Sequence, residues 1–266
     1  MTSGKLINHG LLTVAILLIA LTPLAAGTLA EEFSPYGAGS SLSVDHSPWA
    51  GILDAYLTAN HPSGVNRFDY DAVSSGDRRI LADYLESLES VDVAALDRDE
   101  QMAYWINFYN ALTVEVILDH YPLDSIRDIS RPWTTPLVTV GGIELSLDDI
   151  EHEILRPIWG DPRIHYAVNC ASIGCPNLAD QPFTANRLEE MLDNAAREYV
   201  NHPRGVGFDG RRITLSSIYK WYDEDFGDRD QLADHLLKYA DSETADELRN
   251  YSGRFRYDYD WELNQP

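Results

Sequence analysis

Apolar and polar positions along this chain follow two periods, and the helical one dominates. Trp49 to Ala59 carries a short amphipathic pattern that ends at Asn60-His61-Pro62. Ile80, Leu81, Tyr84, Leu85 and Leu88 follow at helical spacing. The longest pattern runs from Asp97 to His120, where Met102, Trp105, Ile106, Tyr109, Leu112, Val116 and Ile117 make a broad apolar face. Tyr121-Pro122 stops it. Alternation of period two flanks Gly141-Gly142 within Pro136–Ser146 and Asp209-Gly210 within Val206–Leu215. Both stretches predict hairpins, because a tight turn needs positive φ.

Ser146 predicts the cap of a helix through Leu155, with Asp148 and Asp149 favourable in its first turn. Arg163 to Val168 predicts a strand. Thr184 predicts the cap of a helix ending near Val200, with Leu188, Met191, Leu192 and Ala195 inward. Leu232–Tyr239 and Asp246–Tyr251 read as helices, and the aromatic-polar alternation of Arg254–Leu263 reads as a final strand. The expected class is α+β: a helix-rich single domain with a small, mainly antiparallel sheet of about four to six strands.

The N-terminus changes the picture of where the protein works. Lys5, the apolar run Leu11–Ala20, Pro23 and the small-residue site Thr28-Leu29-Ala30 have the grammar of a secretory signal. The expected division is a signal peptide at 1–30, a flexible lead-in at 31–46 and a globular domain at 47–266, placed extracytoplasmically in the periplasm or medium. An uncleaved anchor is the alternative, although Leu11–Ala26 barely approaches the about 20 apolar residues that a span requires. No stable membrane span is expected once the signal is removed. The formal net charge of −23 argues against nucleic acid and anionic lipid as partners. A small-molecule, peptide or protein ligand remains, and no cofactor is expected.

The chemistry concentrates in Pro162–Pro176, which holds both cysteines, Cys170 and Cys175, with His165 and Asn169 beside them. Three readings compete for this segment. In the first, Cys170 is a nucleophile with His165 or His152 as base and Asn169 orienting it, since a thiol needs an imidazole or a helix N-terminus to lower its pKa. A regular strand would set His165 and Cys170 on opposite faces, so direct pairing requires a bend or His152 instead. In the second, Cys170 and Cys175 form a structural disulfide of a non-catalytic binding or scaffold module. In the third, Asp148 and His152, four apart on one helix face, hold a metal with His165, and Glu151 acts as base.

Asn107 and Asn110 stand inside an apolar helix, where they either tie it to loop backbone or line a cleft beside Cys170 together with Glu151 and Lys220. Lys220 lies among aromatics and acids in Ser216–Phe226, where an ion pair is expected. The aromatic endings Tyr257–Trp261 read as core or seam, with a carbohydrate platform as the functional alternative.

Three blocks, Tyr104–Leu112, Ser146–Arg156 and His165–Pro176, together resemble the domain of unknown function 547. Leu215–Phe226 and Tyr259–Asn264 fit the same pattern, so the resemblance covers roughly residues 65–264. It implies a secreted or periplasmic bacterial domain and brings no reaction with it. The leading expectation is a Cys/His/Asn cleft performing cysteine-dependent acyl chemistry, hydrolysis or transfer, on a peptide or amide.

Overall fold

The computed structural model describes Met1 and residues 27–266, so the leader expected at 1–30 lies largely outside the described residues. Helix α1 (Leu29–Phe33) begins with a capping box between Thr28 and Glu31. The segment expected as a flexible lead-in runs along the domain instead of away from it. Phe33 is buried edge-on against Trp105, with ring centroids 5.1 Å apart. Arg98 and Gln101 donate to the carbonyls of Ser34 and Pro35, and the amides of Gly39 and Val44 donate to Asp97 and Glu100.

Helix α2 (Ser47–Tyr56) leads into the short hairpin β1 (Leu57–Thr58) and β2 (Arg67–Phe68). Helix α3 (Ser75–Glu89), capped by Ser74, packs against α4 (Arg98–His120). Helix α4 is buried on almost every face, from Glu100 to Leu118. A helix wrapped by neighbours on all sides must satisfy any polar side chain internally, which sets the role of Asn107 and Asn110.

The first expected hairpin forms as β3 (Val138–Val140) and β4 (Ile143–Leu145), with φ of +59° at Gly141 and +82° at Gly142. Ser146 then caps the next helix: its hydroxyl accepts from the Asp149 amide, and the Asp149 carboxylate accepts from the Ser146 amide and hydroxyl. Residues Asp149–Leu155 adopt a wide π-helical winding before tightening into α5 (Arg156–Trp159). Such bulges recur at functional sites because they redirect side chains within a helix.

The strand expected at Arg163–Val168 is a helical turn, α6 (Ile164–Ala167). Asp161 accepts from the Arg163 amide and Pro162 starts the turn. Ile164, Ala167 and Val168 then face the main core at i, i+3 and i+4, while Tyr166 enters a second apolar cluster. Over five residues the two periods are indistinguishable, and the Asp161 contact decides.

Helix α7 (Leu188–Val200) follows a 3₁₀ turn, and Thr184 makes no side-chain cap there. Strands β5 (Val206–Phe208) and β6 (Ile213–Ser216) form the second expected hairpin. Two short helices, α8 (Ile218–Trp221) and α9 (Asp223–Phe226), precede α10 (Arg229–Tyr239) and α11 (Ser242–Asn250). Strand β7 (Arg256–Asp258), shorter than expected, pairs in parallel with β6.

The architecture is α+β, as expected, with the strands distributed over three small sheets of two, two and three strands. Two apolar clusters organise it. One surrounds α4; the other gathers Tyr166, Tyr199, Tyr219 and Leu236. Helix α7 joins them, with Leu188 and Leu192 in the first and Ala196, Tyr199 and Val200 in the second. No helix of the described residues is long and apolar enough to cross a membrane.

Candidate functional site

Two side-chain clamps on α4 hold the loop that carries the chemistry. Asn110 donates to the Ala167 carbonyl at 2.9 Å and accepts from the Asn169 amide at 2.8 Å. Asn107 makes the same paired contact with Phe183, donating at 2.8 Å and accepting at 2.9 Å. Both amides are buried and committed to backbone, so they do not line the cleft. Asn169 is likewise committed: its side chain donates to the Pro176 carbonyl and accepts from the Ala171 amide. It shapes the cysteine loop and does not orient a catalytic imidazole. Ala171 is held at φ +61°, a left-handed conformation that costs a non-glycine residue about 1–2 kcal/mol. The clamp through Asn169 is what sustains it.

That loop delivers Cys170 to a cleft of about 230 Å³ lined by Asp148, Glu151, His152, His165, Cys175 and a set of aromatic rings. The Cys170 sulfur stands 3.0 Å from each of three groups: the Cys175 sulfur, the Ser172 hydroxyl and the Tyr259 hydroxyl. The two cysteines are free thiols, because a disulfide requires about 2.05 Å between sulfurs. The expected Cys170–Cys175 bridge is therefore absent. Hydrogen bonding from Cys175, outweighing burial and joined by Ser172 and Tyr259, holds the Cys170 thiol below its ordinary value. Burial pushes the Cys175 thiol well up, and its contact with Cys170 adds to the rise. The pair is asymmetric: Cys170 gives up its proton more readily than Cys175.

The imidazoles stand elsewhere in the cleft. His165 is buried, with Nε2 2.6 Å from Asp225 and Nδ1 3.6 Å from Glu151. Its ring stacks on Tyr222 at 4.0 Å. Burial alone would lower its pKa, yet contacts with the two carboxylates raise it above the usual histidine value. Burial would likewise raise Glu151 and Asp225, and the positive charge facing each of them lowers both. Arg156 completes the cluster, its Nε 2.6 Å from the same Asp225 oxygen. His165 thus stands between two acids, with neither ring nitrogen directed at Cys170, and it is not the thiol's base.

His152 is half-buried at the cleft wall, 3.7 Å from Asp148 and 3.0 Å from Arg156. Asp148 and His152 therefore share a helix face as expected, but His165 is bound to Asp225 and does not join them. Among the described residues no three histidine, cysteine, aspartate or glutamate side chains form a cation-sized cluster. Glu151 lines the cleft. Lys220 is exposed, faces a separate surface hollow, and makes no ion pair among the described residues.

The chain pattern did not single out Asp225, Tyr222 or Tyr259. Asp225 and Tyr222 fall within Ser216–Phe226, where the pattern points to Lys220 and an ion pair with an unspecified acid. Only packing of α8 and α9 against α6 reveals which of those acids turns inward. Tyr259 arrives from beyond β7, 89 residues after Cys170.

With this geometry in view, comparison with known proteins is informative in one respect. A model of the family described as "Protein of unknown function, DUF547" matches residues 93–200. The chain resembles that family. The matched stretch holds α4, the Ser146–Arg156 helix, the cysteine loop and α7, so DUF547 covers the clamps and both cysteines. Asp225, Tyr222 and Tyr259 lie outside the DUF547 match. No curated protein and no solved structure matches the chain.

Proposed function

We propose that the cleft is a thiol active site in which Cys170 attacks the acyl carbon of a peptide or amide, in an extracytoplasmic protein delivered by the 1–30 leader. One observation carries the reading: a cleft-facing sulfur surrounded by three hydrogen-bonding groups at 3.0 Å, which favours the thiolate. A preformed thiolate needs no base to attack. A carbon–sulfur bond forms, the carbon–nitrogen bond breaks, and the amine leaves with a proton from His152, an imidazole at the cleft wall. Water then cleaves the thioester, returning its proton to His152 and releasing the Cys170 thiolate. The His165–Asp225–Arg156 cluster holds α6, α9 and the bulged helix together around the nucleophile.

The experiment is intact-mass analysis after exposure to a panel of peptide thioesters and p-nitroanilides. An acyl adduct on Cys170 that is lost in Cys170→Ser is the expected result. Undiminished turnover by Cys170→Ser would sink the reading.

A second reading is favoured by the 3.0 Å approach of the two sulfurs. Cys170 attacks a substrate disulfide to give a mixed disulfide, and Cys175 then displaces the substrate thiol, so the substrate is reduced and the pair oxidised. Cys175→Ser would trap the mixed disulfide under this mechanism, an adduct that acyl transfer does not form.

A further inference from the structure

The wall of the cleft that extends from the nucleophile is a continuous shelf of aromatic rings. Tyr259, which touches Cys170, lies 4.6 Å from Trp261 and 4.8 Å from Trp221, between ring centroids. Trp221 and Trp261 stack at 5.5 Å with 30° between their planes, and Trp133 closes the end at 5.8 Å from Trp261. Trp221 is 46% exposed, an unusual placement for the largest side chain. Asp148 and Glu151 line the same cleft, and among the described residues no lysine or arginine does. Asp148 has one basic neighbour, His152 at 3.7 Å.

Resting on the reading of this cleft as the Cys170 site, we propose that the shelf and the two carboxylates receive an organic cation, an alkylammonium or guanidinium group borne by the substrate. Ring faces attract such a cation through their quadrupole, the more strongly the drier the site. Rings of this cleft already lie beside cations: the Arg127 guanidinium is 5.2 Å from the Trp261 ring and that of Arg156 5.2 Å from Tyr222. An apolar substrate would fill the shelf but leave Asp148 with only the His152 imidazole beside it, whereas a cation meets both the rings and the carboxylate. The volume, about 230 Å³, falls below the roughly 300–1,000 Å³ of drug-sized sites and suits one side-chain-sized group. The protein's net charge of −23 adds long-range attraction of the same sign.

The test uses full-length Cys170→Ser protein, so that binding is read without chemistry and independently of the acyl-transfer reading. Calorimetric titration with tetramethylammonium chloride is compared with the neutral isostere tert-butanol at fixed ionic strength. Saturable binding of the cation, at least ten-fold tighter than the alcohol, is expected. Trp221→Leu and Asp148→Asn should each weaken it by five-fold or more, with thermal melts showing that both variants remain folded. Equal affinity for the alcohol, absence of saturable binding, or parent-like binding by both variants would overturn the proposal. Loss of acyl chemistry in the wild type alongside preserved cation binding would instead overturn only the nucleophile.

Discussion

At the scale of single residues, the site is governed by who donates to whom. The Tyr259 hydroxyl stands 3.0 Å from the Cys170 sulfur and can donate to it once it is ionised, a hydrogen bond to a charged acceptor being worth about 1.5–3 kcal/mol. Tyr259→Phe is expected to slow iodoacetamide alkylation of Cys170 about ten-fold at neutral pH, with the pH–rate profile moving upward. His165 and Asp225 make a second prediction, this time with opposed pH limits. The raised His165 pKa means its contribution to stability is whole below about pH 6.5 and is lost as pH rises through the elevated folded value. The depressed Asp225 pKa gives a contribution present above about pH 4 and lost as pH falls through the folded value. Asp225→Asn should therefore destabilise most between about pH 4 and 6.5. Urea melts at pH 5.5 and pH 9 should show a smaller difference from wild type at the higher pH, and some difference there because the Arg156 contact persists.

At the scale of elements, two helices and one turn invite measurement. Helix α4 holds the cysteine loop through Asn110, and Asn110→Ala leaves the Ala167 carbonyl and the Asn169 amide buried without partners. A loss of about 3 kcal/mol is expected by denaturant unfolding, and Asn110→Asp should not restore it, since a carboxylate would face the carbonyl. The β3–β4 turn is simpler. A Cβ at Gly142 would meet nothing within 4 Å, so the cost of Gly142→Val is conformational only, about 1–2 kcal/mol for a branched residue at positive φ. The π-helical stretch Asp149–Leu155 belongs at this scale too, because it turns Glu151 toward His165 while His152 stays at the cleft wall.

For the whole molecule, 43 acids stand against 20 lysines and arginines, and self-repulsion opposes the compact state. Raising sodium chloride from about 0.02 M to 0.5 M shortens the Debye length to a few ångströms and should raise the melting temperature. A fall on adding salt would mean that the ion pairs, such as Arg163 with Asp161, Glu189 and Asp193, outweigh the repulsion. The two apolar clusters share α6 and α7, so the thiol loop lies at their junction. Substitutions in either cluster should thus alter Cys170 accessibility, as hydrogen exchange and alkylation rates would report.

Local rules written into the chain determined the helical α4, both hairpins, the Ser146 cap and the segment that holds the chemistry. Each depends on neighbours a few residues away: an apolar period, a pair of residues tolerant of positive φ, a side chain able to cap. Arg163–Val168 escaped these rules because six residues fit either period. Only the folded chain decided that Asn107, Asn110 and Asn169 brace backbone, that His165 meets Asp225 and not the thiol, and that Tyr259 completes the nucleophile's shell. Apart from the local contacts of the Asn169 side chain, they join residues 57 to 89 positions apart, and long-range packing, not spacing, brings such groups together.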